Sequence, residues 1–175
     1  MTTAPPDLSP RTGRIDLAAH GVPHPAPFLL DLRVDGAAVH PEIDHVANTE
    51  YVRWIDRAAQ LHCDHVGWTR ERLLAEERMW FVARHEIDYR AEVRGGEELV
   101  VATWVRDFHR VRSWRDTVIL RPADGEVVCR AATLWVYVDL RTRRPVRIPP
   151  DVIERFAPCE RTPGAGRGDG PCTSS

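Results

Sequence analysis

The feature that most constrains the fold of this chain is a change of hydrophobic period near residue 70. Across residues 48–66 the apolar side chains recur at helical spacing, as Val52, Ile55 and Ala59 do, which predicts one long amphipathic helix. The downstream sequence consists of apolar, β-branched runs separated by turn signals, which predicts antiparallel strands. The predicted strands cover residues 28–34, 81–89, 99–105, 114–120 and 127–140.

Local signals predict where the helices begin and end. Asn48 is expected to be the N-cap of the long helix, Glu50 favours the positive end of its dipole, and Gly67 is expected to stop it. Short helical segments are predicted at residues 69–77 and 151–156. One helix with a long apolar stripe can cover one face of an antiparallel sheet, and a second copy is a common cover for sheet edges. We therefore expect an α+β layer and a homo-oligomer.

The two ends of the chain differ in composition from its centre. Residues 1–27 are rich in Pro, Ala and Thr, which predicts a disordered or extended lead-in. Residues 158–175 are rich in Gly, Ser and Pro, which predicts a disordered tail. The folded domain is therefore expected at 28–157. The N-terminus lacks the basic and apolar regions of a signal peptide, and no run approaches the roughly 18 apolar residues of a membrane span.

Charge and cysteine content exclude several partner classes. The formal net charge of -2 gives no reason to expect nucleic acid or an anionic membrane as partner. All 24 basic residues are Arg, so any phosphate contact would come from a guanidinium. The four cysteines have no zinc-ligand spacing, which predicts that the chain holds no metal. A reducing cytoplasm is the simplest compartment for them.

Three blocks of the sequence stand in an order that is typical of a known family. The first is HVANTEYVRW at residues 45–54, which is similar to the signature HVNNxxYxxW. The second is HEIDY at 85–89 with RGGEE at 94–98, and the third is TLWVYVD at 133–139 with RPVRIP at 144–149. Together they resemble the hotdog-fold acyl-CoA and acyl-carrier-protein thioesterases, including the 4-hydroxybenzoyl-CoA thioesterase group.

The resemblance implies a fold, an assembly and an activity. The fold would be a hotdog, an antiparallel sheet wrapped around a central helix, in homodimers or dimers of dimers. The active sites would lie at the dimer interface beside the helix N-terminus, where free N–H groups can bind the thioester oxygen as it gains charge. The expected reaction is hydrolysis of an acyl thioester carried on coenzyme A or on a carrier protein, with no cofactor.

The loop before the helix departs from the pattern of many relatives. Their loop reads D-x-D-x-x-G-H, and alignment on His45 places Pro41 at the position of the second, catalytic Asp. In one alternative the loop is shortened, so that Asp44 orients or deprotonates water, with Glu42 as the next candidate. In the other, His45 is the base or a thioester-binding donor and Asn48 positions water. A shared site of Asp44 and His45 is the favoured hypothesis.

Two further groups of residues are candidates for substrate binding. The resemblance implies that Tyr51 and Trp54 line a pocket, although both also fit a position in the core. Arg110 and Arg112 belong to a cluster of arginines near a strand turn, which could grip a phosphate of the carrier or simply be solvated.

Two other functions stay open at this point. A hotdog dehydratase or hydratase would need an acid and a histidine near the α-carbon, but Asp44 and His45 are adjacent in sequence, and adjacent side chains rarely converge on one atom. A non-catalytic acyl-thioester-binding protein is the other alternative, because Pro41 can neither accept a proton nor attack a carbonyl.

Overall fold

The computed structural model describes residues 5–13, 15–40 and 42–156. Its strands are β1 Leu8–Pro10, β2 Phe28–Arg33, β3 Val39–His40, β4 His45–Val46, β5 Arg78–Tyr89, β6 Glu98–His109, β7 Arg112–Arg121, β8 Glu126–Asp139 and β9 Arg144–Pro145. The helices are α1 Asn48–His65, α2 Arg70–Ala75 and α3 Pro150–Phe156, with short 3-10 turns at Ala18–His20 and Gly36–Ala38. The predicted tail at 158–175 lies outside the described residues.

One antiparallel sheet dominates the described part of the chain. Its strands follow the order β1-β2-β6-β7-β8-β5, and β9 pairs with the end of β8. The hairpin of β3 and β4 stands apart from this sheet and leads directly into α1. Strands β5, β6 and β7 extend a few residues beyond the predicted ranges, because their ends continue pairing after the apolar pattern fades, whereas β8 begins and ends one residue earlier than predicted.

Helix α1 forms where the apolar period predicted it, but its cap differs from the prediction. Asn48 is the first helical residue, whereas Ala47 occupies the N-cap position without a side-chain cap. The prediction that Asn48 is the N-cap is therefore wrong by one position. At the other end Gly67 adopts a φ of 80° after the last helical turn, a left-handed conformation that glycine adopts without steric cost.

Alternate residues of β6 face the two sides of the sheet. Leu99 and Val101 pack in the cluster that contains Trp54 of α1. Val100 and Trp104 pack in a second cluster, on the opposite face. Burial on both faces explains why β6 is a nearly continuous apolar run rather than an alternating one.

Part of the predicted lead-in covers that opposite face. Leu17 and Val22 are buried against it, and Leu8 is buried beside β2, with which β1 pairs. Within residues 1–27 the structure has a strand at Leu8–Pro10 and a 3-10 turn at Ala18–His20, and the start of the folded domain at residue 28 stays a prediction. The proline content of this segment hid two apolar side chains, Leu17 and Val22, that cover the outer face of the sheet.

Strand β5 forms an edge of the sheet. It pairs with β8 along one side only, and it exposes Phe81, Val82 and Tyr89, of which Phe81 is 44% accessible. Exposed apolar side chains on a long unpaired edge are unusual in a monomer, because such an edge is a template for pairing.

Candidate active site

A short hairpin positions the predicted catalytic residues. The carbonyl of His40 accepts the N–H groups of Ile43 (3.3 Å) and Asp44 (3.0 Å). Asp44 closes the turn at a φ of 46°, a left-handed conformation that Asp tolerates better than most residues. The buried Val46 then donates its N–H to the carbonyl of Val93 at 3.1 Å. This hydrogen bond anchors the hairpin against the turn that follows β5.

That anchor brings Glu92 to His45. Glu92 Oε1 lies 3.7 Å from His45 Nδ1, and both side chains are partly exposed. This distance is longer than a hydrogen bond, but it places a carboxylate next to Nδ1 of the ring. The sequence did not predict Glu92, because it lies between the two parts of the second block, residues 85–89 and 94–98, and belongs to neither.

The other predicted catalytic residues surround this pair. Glu42 and Asp44 are exposed, and among the described residues the Asp44 carboxylate has no hydrogen bond or ion pair. Asn48 is exposed at the start of α1, and its carbonyl accepts a 3.5 Å hydrogen bond from the Tyr89 hydroxyl. Pro41 lies outside the described residues. The hairpin therefore holds Asp44, His45 and Asn48 in one short stretch of surface.

The N-terminus of α1 contributes backbone donors to the same stretch. The first N–H groups of an α-helix have no partner within the helix. In α1 these are the N–H groups of Asn48 and Thr49, whereas the N–H of Glu50 donates to the carbonyl of Ala47 at 2.9 Å. The helix dipole adds positive potential there. These donors could stabilise an oxyanion that forms beside Asn48.

A cavity of about 510 Å³ lies between α1 and the sheet. That volume is in the range of small-molecule pockets. Its wall is mostly apolar and aromatic, with several charged side chains on the α1 side. The lining residues include Asp56, Cys63, Trp68, Met79, Trp80, Val105, Phe108, Arg115, Trp135 and Phe156.

The two predicted pocket aromatics lie elsewhere. Tyr51 and Trp54 are 1% and 2% accessible, and their rings contact each other at a tilt of 51° with centroids 4.8 Å apart. Neither is part of the cavity wall. Burial raises the pKa of the Tyr51 hydroxyl to about 12, so the hydroxyl stays protonated near neutral pH. A substrate-binding role for Tyr51 and Trp54 stays a prediction.

A second acid and histidine pair lies at the rim of the cavity. Asp56 Oδ1 is 3.9 Å from His85 Nε2, and His85 Nδ1 is 3.0 Å from the hydroxyl of Thr133. Burial raises the pKa of Asp56, and the nearby His85 opposes that shift. The sequence did not predict this pair, because the position of β5 relative to α1, which brings His85 to Asp56, cannot be inferred from the spacing of the two residues.

The predicted arginine cluster separates into three environments. Arg106 forms a two-point ion pair with Asp116, whose Nε to Oδ2 distance is 2.8 Å. Arg115 is buried in the cavity wall. Arg110 and Arg112 are exposed at the β6–β7 turn, where Arg110 has a φ of 37°. Of these four arginines, Arg110 and Arg112 are therefore the two that a phosphate in solution can reach. Phosphate binding by them stays a prediction.

Within residues 5–13, 15–40 and 42–156, no group of three His, Cys, Asp or Glu side chains could hold a metal ion. In the same ranges, no helix is both long and apolar enough to cross a membrane.

Comparison with known proteins assigns the family. A family model described as the thioesterase-like superfamily matches residues 39–156, more than half of the 175 residues. The chain belongs to the thioesterase-like superfamily. The family resemblance of the three sequence blocks is thereby confirmed.

Similar curated proteins are plant thioesterases that act on acyl carrier protein. This thioesterase-like chain is 25% identical over 123 residues to an acyl-[acyl-carrier-protein] hydrolase of Cuphea viscosissima, over 66% of this chain and 30% of that protein. It is 29% identical over 102 residues to the palmitoyl-acyl carrier protein thioesterase of Cuphea hookeriana, over 58% of this chain and 24% of that protein. The chain thus spans less than a third of the length of these relatives.

Solved structures of thioesterases share its fold. The 1,4-dihydroxy-2-naphthoyl-CoA thioesterase of Synechocystis superposes with a TM-score of 0.69 at 16% identity, covering 75% of this chain and 96% of that one. The 12:0-ACP thioesterase of Umbellularia californica gives 0.65 at 21% identity, covering 74% and 49%. The predicted α+β hotdog fold is confirmed.

Proposed function

We propose that this thioesterase-like protein hydrolyses an acyl thioester carried on coenzyme A or on an acyl carrier protein, without a cofactor. The observation that carries the proposal is that the His45–Glu92 pair lies beside the N-terminus of α1, which has no side-chain cap. Membership of the thioesterase-like superfamily supports it, as do the names of the relatives.

In this proposal His45 is the general base. Glu92 faces Nδ1 at 3.7 Å, a distance that tightens readily when substrate excludes water, so Nδ1 keeps its proton and Nε2 is left to accept one from water. The hydroxide so formed attacks the thioester carbon, and the C–S bond breaks as the oxyanion collapses. The imidazolium then returns its proton to the departing thiolate.

The α1 N-terminus would stabilise the oxyanion. The N–H groups of Asn48 and Thr49 are the donors, and the Asn48 side chain would position the water. Asp44, at the tip of the turn, is the second candidate for orienting that water, and Glu42 is the next. Each lost oxyanion donor typically costs ~10²–10³ in rate.

The cavity would take the acyl group. Its apolar wall and its volume of about 510 Å³ suit an acyl chain. His45 is not part of that wall, which supports a site shared between subunits, with the hairpin of one subunit serving the cavity of its partner. Arg110 and Arg112 would bind phosphate groups of the carrier.

A homodimer through β5 follows from this arrangement. The one-sided pairing of β5 and the exposure of Phe81, Val82 and Tyr89 support it, since edge pairing would satisfy the strand and cover its apolar side chains. A dimer of dimers would extend the same assembly. A cytoplasmic location belongs to the same proposal, supported by the free thiols of Cys63 and Cys129.

Incubation with acyl-CoA and acyl-carrier-protein substrates, with products identified by mass spectrometry, tests the function. Hydrolysis releases free acid and thiol. A shifted acyl mass with the thioester intact would instead indicate a hydratase or dehydratase. Saturable binding with no product would indicate a binding protein.

A further inference from the structure

Arg115 is a buried cation without an anionic partner. Its residue is 4% accessible, and no carboxylate of the described residues forms an ion pair with it. Its two hydrogen-bonding contacts both use Nη1, which lies 2.9 Å from His62 Nδ1 and 3.3 Å from the Thr103 hydroxyl. Its Nε and Nη2 groups donate to no described residue.

The partners of Arg115 are neutral. A guanidinium has only N–H donors, so His62 Nδ1 must be the acceptor and the proton of that ring sits on Nε2. Burial lowers the pKa of His62 to about 2, and the Arg115 cation adds to the shift. The nearby Phe156 ring, 5.6 Å from the guanidinium carbon, offers only a π face. Among the described residues, therefore, no neighbour cancels the charge.

This cation lines the cavity between α1 and the sheet. Burying an unpaired charge is unfavourable, and proteins rarely do so without a counter-ion, a metal or a ligand. The surrounding walls, such as those of Trp80, Phe108 and Trp135, give the ligand apolar contact but no negative charge. A ligand with an apolar body and its own hydrogen-bond acceptor would contact the apolar walls and also give Arg115 a partner.

The cavity wall also includes two acidic residues, Asp56 and Asp64, whose side chains are exposed. Neither of them forms an ion pair with Arg115, which is buried. Burial is the main influence on the pKa of Arg115, which it lowers, and only the Cys63 thiol opposes it. The two aspartates therefore neither neutralise Arg115 nor bar an anion from it.

We propose that the cavity selects acyl groups that carry an oxygen acceptor, above all a carboxylate, at the end remote from the thioester, and that Arg115 is the residue that selects them. The inference rests on the proposed function, because it takes the cavity as the acyl site. A charged hydrogen bond from a buried guanidinium is strong and geometrically specific. The matching substrate class is the monothioester of a dicarboxylic acid.

The test compares two ligands of equal length on the small thiol N-acetylcysteamine, which removes any dependence on the carrier. One has a methyl end (decanoyl) and the other a carboxylate end (sebacoyl). Their thioesters report kcat/KM, and their non-hydrolysable thioether analogues report Kd by calorimetry. The proteins are wild type, Arg115→Met, Arg115→Lys and the control Arg33→Met, which changes an exposed arginine on β2.

Wild type and Arg33→Met should prefer the carboxylate ligand by about 10-fold or more. Arg115→Lys should keep a reduced preference, and Arg115→Met should reverse it. If Arg115→Met does not fold, the wild-type preference and its retention in Arg115→Lys decide the matter. Equal binding of the two ligands by wild type, or a preference unchanged in Arg115→Met, would overturn the inference.

The outcomes separate this inference from the proposed function. Carboxylate-selective binding of the thioethers without hydrolysis of either thioester supports selection by Arg115 and contradicts hydrolysis. Hydrolysis of both thioesters without a preference for the carboxylate supports the proposed function and contradicts selection by Arg115. Binding of neither analogue overturns both.

Discussion

Arg115 Nη1 lies 2.9 Å from His62 Nδ1 in the buried layer between α1 and β7. Because arginine can only donate, this contact holds the His62 ring in its neutral form, sandwiched between Phe28, which stacks at 5.0 Å, and Phe156, whose edge meets it at 5.1 Å. Protonation of His62 would place two cations in contact inside the protein. The pair therefore couples folding to pH.

We expect acid to destabilise the protein through His62. Its pKa is about 2 when folded and near its ordinary value of 6.5 when unfolded, so between these values the unfolded chain binds more protons. The free energy of unfolding from this group then falls as pH falls, by about 1.4 kcal/mol per pH unit. Denaturant titrations from about pH 6 to about pH 4.5 should show a loss of about 2 kcal/mol that His62→Gln removes. An equal pH dependence in both proteins would contradict it.

Replacement of His45 should abolish most of the activity. His45→Ala removes the proposed base and should lower kcat by ~10²–10⁴, while Glu92→Gln keeps the shape and should lower it by about 10-fold. Steady-state thiol release measures both, and Glu98→Gln, an exposed carboxylate at the start of β6, is the matched control. If Asp44→Asn lowers kcat far more than His45→Ala does, the hairpin's base is Asp44 instead.

A charge on the β5 edge should separate the proposed dimer. Val82→Lys places a cation on an exposed apolar position, 37% accessible, where edge pairing would bury it. We expect a monomer in sedimentation experiments and a loss of hydrolysis, because the proposed site needs both subunits. Leu74→Lys, also an exposed apolar position (48%) but on α2, should stay dimeric. A fully active Val82→Lys monomer would rule out the shared site.

Neutralising the β6–β7 turn should weaken carrier binding alone. The double variant Arg110→Gln, Arg112→Gln should raise KM for an acyl-CoA by about 10-fold with little change in kcat, since phosphate contacts bind substrate and transition state alike. Substrates on N-acetylcysteamine, which lack phosphate, should be unaffected. The exposed pair Arg141 and Arg144, changed in the same way, controls for charge. If kcat falls by as large a factor as KM rises, these arginines do more than bind the carrier.

The sequence predicted the fold well because its strongest signals are local. The helical period of α1, the alternating run of β5 and the continuous apolar run of β6 depend only on neighbours in the chain, and Gly67 ends α1 as expected. The outer face of the sheet was missed because Leu17 and Val22 sit among prolines, where no period is visible. Their burial depends on β6 and β7, which come far later in the sequence.

The candidate site was predicted only where it is contiguous. Asp44, His45 and Asn48 lie within a few residues, so a family signature could find them. Glu92 reaches His45 through the Val46–Val93 hydrogen bond, and Arg115 reaches His62 through the packing of α1 on β7. Such contacts are set by tertiary structure, and the spacing of these residues in the sequence does not predict them.

The central claim is that this chain breaks a thioester bond with water, and the rate of thiol release from an acyl-CoA or acyl carrier protein tests it most directly. We expect release by the purified wild type at least ~10²-fold above that of His45→Ala at the same concentration. Release by wild type that never exceeds the rate in buffer, with every acyl chain and both carriers, would contradict it.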